Sequence, residues 1–208
     1  MKSALIWYNT FVNTLKKMDF ELNPFDPCIA NKVIDGHQCT IVWYVDNTKI
    51  SHKDPQVVTN IIKAIEVDHD QMTLKRGKSH TFVGMNFELK DDGSLHIWTK
   101  EYIREALADL RESVENMSPT PASKSLFNIN DKSLELPEWK ANIFHIVVAK
   151  LLLYVSCRSC LDIGLTVAFL TTRVSKATFQ DWEKLKRLLR YLKGTFDMPR
   201  IIKKRIYR

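Results

Sequence analysis

The spacing of apolar positions divides the chain into stretches of helical period and stretches of alternating period. Leu5, Tyr8, Val12 and Leu15 recur at helical spacing behind Ser3, a capping residue type, and predict an amphipathic helix over residues 4–19 that stops before Asn23-Pro24. Strand-like segments at 28–33 and 39–44 flank Asp35-Gly36, a pair that favours a tight turn, and predict a hairpin. The second run reaches Tyr44-Val45-Asp46-Asn47 and alternation then resumes through Ser51, which predicts strand, Asp46-Asn47 turn and strand, with an acid at the tip. Turn chemistry alone accounts for that pair as well as a functional role does. Asp54-Pro55 caps a helix whose buried stripe is Val58, Ile61, Ile62 and Ile65. Strands follow at 71–74, 81–89 and 95–98, then a helix marked by Tyr102, Ile103, Ala106, Leu107 and Leu110.

Composition changes after Met117. Residues 118–137 begin Ser-Pro-Thr-Pro-Ala-Ser-Lys-Ser and read as a linker. Beyond it the period is helical throughout: Ile143, Val147, Leu151 and Tyr154 form one face, residues 163–174 form a second apolar helix, and Phe179, Trp182, Leu185, Leu189 and Leu192 form a third, capped by Thr178 and closed by Gly194. The expected class is α+β, an antiparallel sheet with helices followed by a mostly helical region. The expected division is a sheet unit over 1–117, a linker over 118–137, a helical region over 138–195 and a basic tail over 196–208.

With 45% hydrophobic and 26% charged residues in 208, the chain has the composition of a folded globular protein. The longest apolar candidate, residues 143–155, is interrupted by Lys150, and the first residues carry no cleavage-like site, so the expectation is an intracellular protein, cytoplasmic or nuclear, with no membrane span. Cys28, Cys39, Cys157 and Cys160 are too few for a disulfide framework; the last two make one Cys-x-x-Cys, but Cys28 and Cys39 are not paired at a zinc knuckle, so structural thiols are expected. Net charge is +7, but residues 184–208 hold ten basic residues against Asp197 alone, a charge of +9, leaving −2 for the other 183. On the third helix Lys186, Arg187, Arg190 and Lys193 lie opposite the apolar stripe. Such a cluster suits phosphate backbones, and it equally suits a solvated helix face.

An acid at a hairpin tip joined to a basic helical region points to metal-assisted chemistry on a phosphate polymer. In order and spacing, the segments resemble the reverse transcriptase domain of copia-type retrotransposons, part of a Pol polyprotein. Tyr44-Val45-Asp46-Asn47 stands at the family's Tyr-Val-Asp-Asp catalytic hairpin, Asp26-Pro27-Cys28 at its Asp-Pro-Cys strand, Phe82-Val83-Gly84-Met85 at its primer-grip hairpin, and 190–195 in its helical thumb and connection region. The resemblance implies an incomplete polymerase palm, RNA-directed DNA polymerisation by two-metal nucleotidyl transfer, Mg²⁺ or Mn²⁺ held at Asp46, an RNA/DNA primer-template as partner, and the remainder of a Pol polyprotein.

The sequence departs from that family at Asn47, which offers a neutral oxygen where the motif has a carboxylate, and at Arg158-Ser159-Cys160-Leu161-Asp162, where the family has arginine, proline and aspartate in a run. The strand bearing the family's earlier aspartate is expected upstream of residue 1, and its absence is expected to expose a sheet edge and an apolar face over residues 1–50. Together these make a catalytically inactive fragment the expectation for this chain. A non-catalytic basic module that binds nucleic acid or a protein is the alternative.

Overall fold

The computed structural model describes residues 2–203, in two compact units, Met1–Arg76 and Gly77–Arg208. The class is α+β, with six α-helices and two four-stranded antiparallel sheets among the described residues.

In the first unit, helix α1 (Lys2–Lys17) leads into strands β1 (Glu21–Leu22), β2 (Ile29–Ile34), β3 (His37–Tyr44) and β4 (Asn47–Ser51), and helix α2 (Pro55–Asp68) follows. The strands form a meander in the order β1-β2-β3-β4, which leaves β1 and β4 at the edges. Ser3 lies inside α1 rather than capping it, and the helix ends two residues earlier than its period predicts. Its end is a Schellman motif: Phe20 N–H donates to Leu15 O and Asp19 N–H to Lys16 O (both 3.0 Å), with Asp19 at φ 59° where glycine is usual. Leu15 and Phe20 are both buried in one cluster with Phe11, Val12, Ile61 and Ile65 of the helices. From the sheet, Ala30, Cys39, Ile41 and Trp43 point into that cluster, so β3 alternates as its sequence predicts. At the start of α2 the Asp54 side chain accepts from Gln56 N–H at 2.8 Å, the cap that Asp54-Pro55 predicts.

In the second unit, β5 (Ser79–Phe82), β6 (Met85–Leu89), β7 (Leu95–Trp98) and β8 (Arg200–Ile202) form the sheet in that order. Residues 81–89, expected as one strand, are two strands folded back at Val83-Gly84. Residues 71–74, expected as a strand, have no regular structure. The helices are α3 (Lys100–Asp109), α4 (Glu138–Lys150), α5 (Gly164–Arg173) and α6 (Phe179–Gly194). Helix α4 continues without a break into a π-helical segment, Leu151–Ser156. Lys150, expected to interrupt this run, pairs instead with Glu105 and Asp109 (2.8 Å each). The resulting helix, Glu138–Ser156, is long and apolar enough to cross a membrane by length and composition. Here Ile143, Phe144, Val147, Val148, Leu151 and Val155 are buried against Ile103, Val167, Leu170, Trp182 and Leu188 in the core of this unit. The α6 start is a full capping box, with Thr178 and Asp181 bonding each other's backbone N–H.

The boundary between units falls at Arg76 rather than after Met117, so the hairpin strands β5 to β7 belong with the helices. Residues 118–137 are irregular but packed. Leu126 and Leu136 are buried, Glu135 bridges Thr178, and Leu136 N–H and Phe179 N–H bond Ala177 O and Leu134 O at 2.9 and 3.0 Å. Proline and serine report missing regular hydrogen bonds, which is compatible with close packing of the apolar residues between them. Part of the expected basic tail likewise becomes strand β8, and residues 204–208 lie outside the described residues.

Candidate functional site

Strands β3 and β4 pair Tyr44 with Asn47, so the two loop residues are Val45 and Asp46, one position earlier than the residue types predict. Asn47 is the first residue of β4. The positive φ falls on Val45, at 55°, with Asp46 outside the positive-φ region, the sign pattern of a type II′ turn. A β-branched residue there is strained by about 1–3 kcal/mol. Because Ile41 and Trp43 face the core, Tyr44 faces outward, and Tyr44, Val45 and Asp46 are all exposed at the tip.

Asp46 is the acid that the resemblance assigns to metal binding. Asn47 Nδ2 donates to its Oδ1 at 3.3 Å, so an amide N–H occupies one of the oxygens a cation would use. Among the described residues no group of three or more His, Cys, Asp or Glu side chains converges anywhere. One carboxylate beside a neutral amide does not fit a pair of Mg²⁺ or Mn²⁺ ions, which need several charged oxygens between them. Two residues along β4, opposite Val42, burial pushes the Lys49 ammonium below its ordinary pKa.

The primer-grip-like residues do form a hairpin. Phe82 pairs with Met85, and Val83 (φ 49°) and Gly84 (φ 70°) make a two-residue turn with the positive signs of type I′. A Cβ at Gly84 would run into the Tyr102 ring, so glycine is required by both conformation and space. The Arg158 guanidinium donates to Val83 O and lies 5.1 and 5.8 Å from the ring centres of Tyr154 and Tyr102. Those two rings stack with centroids 4.4 Å apart at 11°. Arg158, Tyr102 and Tyr154 carry no sequence signal of this role, since residues up to 75 positions apart meet only in three dimensions.

The basic face of α6 is largely engaged within the unit. Lys186 pairs with Glu183 at 2.5 Å and Glu112 at 3.8 Å. Arg187 Nη2 donates to Thr120 Oγ1 at 2.9 Å, with its Nε buried and unpartnered among the described residues. Lys193 donates to Val114 O at 2.8 Å, and Lys184 to Asn128 O at 2.7 Å. Arg190 alone of the four predicted residues has no hydrogen-bond or ion-pair partner among the described residues. These side chains lash the irregular segment 114–128 onto α6. Glu112 is the hub: burial raises its pKa, but bonds from Lys140 and Trp182 outweigh this and hold the carboxyl below its ordinary value.

All four cysteines are free thiols, and burial raises the pKa of Cys28, Cys39 and Cys160, as suits packing residues.

The chain is similar to a putative transposon Ty5-1 protein of Saccharomyces cerevisiae, 23% identical over 199 residues that cover 95% of this chain and 62% of that protein. It is also similar to the retrovirus-related Pol polyprotein from transposon TNT 1-94 of Nicotiana tabacum, 24% identical over 197 residues that cover 91% of this chain. The matches support a retrotransposon Pol origin. The chain spans 62% of the first relative and 14% of the second. No protein-family model and no solved structure matches it significantly.

Proposed function

We propose that this retrotransposon-derived chain is a reverse transcriptase segment that retains the frame of the polymerase hairpin without nucleotidyl transfer of its own. The observation that carries the reading is the Tyr44-Val45-Asp46-Asn47 hairpin. It exposes a strained turn and one acid at the tip of an antiparallel meander, while Asn47 both removes a carboxylate and bonds the one that remains. Similarity to a Pol polyprotein over 91% of the chain supports the same origin for both units. In this reading the chain contacts a primer-template duplex through its backbone turns and its cations without a carboxylate partner, among them Arg190 of α6, while Lys186 of the same face is ion-paired within the unit.

Primer extension with Mg²⁺ or Mn²⁺ tests the reading. Background-level synthesis by the purified chain is expected; template-dependent synthesis that Asp46→Ala abolishes would refute the inactive assignment. Duplex binding is expected to weaken as salt rises, and an affinity independent of salt would remove the phosphate contact.

A further inference from the structure

The π-helical segment Leu151–Ser156 stands out as the one departure from α geometry in a 19-residue helical run, and such insertions concentrate where a side chain must be re-aimed. Tyr154 lies within it and Arg158 just beyond it. Arg158 reaches the β5–β6 turn directly, by donating to the carbonyl of Val83, and Tyr154 bears on it through Tyr102, on which it stacks and whose ring blocks the Cβ position of Gly84. One guanidinium therefore satisfies a carbonyl of a turn whose two residues are both at positive φ, while its carbon lies within cation–π distance of both rings of a stacked tyrosine pair. Arg200 Nη1 in turn donates to Arg158 O at 3.3 Å, which ties the backbone at Arg158 to β8 of the same sheet.

We infer that Arg158 is a positioning residue, the bolt of a latch formed with Tyr102 and Tyr154, which holds the strained Val83-Gly84 turn in one rigid conformation for presentation to a ligand. Lysine could supply charge but not a planar fork that bonds and stacks together. The strain at Val83 persists because its surroundings over-determine it. That the ligand is a primer-template duplex rests on the function proposed above; the latch itself does not.

Amide hydrogen exchange on the full chain tests the latch. Arg158→Ala is expected to speed exchange at residues 83–86 by about tenfold or more, while amides of α6, which report global opening, change by about twofold or less. Tyr154→Leu, which keeps apolar volume and loses the stack, should loosen the same amides and guards against a folding failure of the first variant. Unchanged exchange at 83–86 in both variants, or acceleration there no greater than in α6, overturns the latch. Binding of a primer-template duplex then separates the two ideas. A positioning role lowers affinity at every salt concentration with the slope unchanged, whereas a slope reduced by about one would make Arg158 a direct phosphate contact and overturn the positioning assignment. A chain that binds no duplex refutes the nucleic-acid reading, and the exchange result still decides the latch.

Discussion

The chain builds two hairpin turns of the same length with a valine first in each, and supports them in opposite ways. At Val83-Gly84 the second residue is glycine, an arginine satisfies the valine carbonyl, and a tyrosine ring closes the space behind it. At Val45-Asp46 the second residue is an acid, the tip is exposed, and the one side-chain bond shown for Asp46 comes from Asn47 next door. Strain of about 1–3 kcal/mol is offset locally in the first turn and lacks such cover in the second.

Gly84→Ala should break the contrast most severely. A methyl group at φ 70° meets a ring that is itself stacked, and a loss on the order of 2–4 kcal/mol is expected in denaturant unfolding. A loss below about 0.5 kcal/mol would mean that Tyr102 swings away freely. Removing the Glu112 hub, by Glu112→Ala, should cost about 1–3 kcal/mol, because Lys140, Lys186 and the Trp182 N–H lose a common partner. Arg190→Ala, on the same helix but without such contacts, is expected to stay within about 0.5 kcal/mol. If the two variants proved equally mild, Glu112 would not be the hub that its contacts imply. Val45→Gly is predicted to stabilise the chain by up to about 1 kcal/mol through relief of strain, whereas Val83→Gly should gain less, since Val83 is half-buried and loses packing.

The smallest effect concerns the segment just beyond the latch. Asp162 accepts a hydrogen bond from the Tyr191 hydroxyl and pushes that phenol from 10.0 up to about 12. A raised pKa means that the fold favours the protonated phenol. Its contribution is fully present below pH 10 and is lost as pH rises toward 12. Ultraviolet titration of the phenolate should show one late-titrating tyrosine that returns toward its ordinary value in Asp162→Asn.

Much of the secondary structure was legible because single residues carry its rules. Asp35-Gly36 places a turn between β2 and β3, Asp54 and Thr178 cap α2 and α6, and Ile61 and Ile65 mark the buried stripe of α2. The rule failed at the two valine turns for one reason in each direction. Asp and Asn tolerate positive φ, so residue types pointed at Asp46-Asn47, but strand pairing of Tyr44 with Asn47 moved the strain onto Val45. At Val83-Gly84 periodicity read residues 81–89 as one strand and only the family resemblance pointed to a hairpin, because the glycine's second constraint is a ring 18 positions away in sequence. Charge was legible but its engagement was not: Lys186, Arg187 and Lys193 read as a basic helix face, and a pattern within one helix cannot show which carbonyls and carboxylates a distant coil segment brings against it.

Alone, the sequence determined the α+β class, most helix and strand positions, the likeness of the hairpin to a polymerase motif, and the departure from that motif at Asn47, an amide where the motif has a carboxylate. These are properties of residue type and short-range periodicity. Tertiary structure decided where the strain sits, which cations of α6 make internal contacts, where one compact unit ends and the next begins, and that Arg158 reaches the β5–β6 turn. Each of those depends on contacts between residues far apart in the chain, which local spacing does not encode.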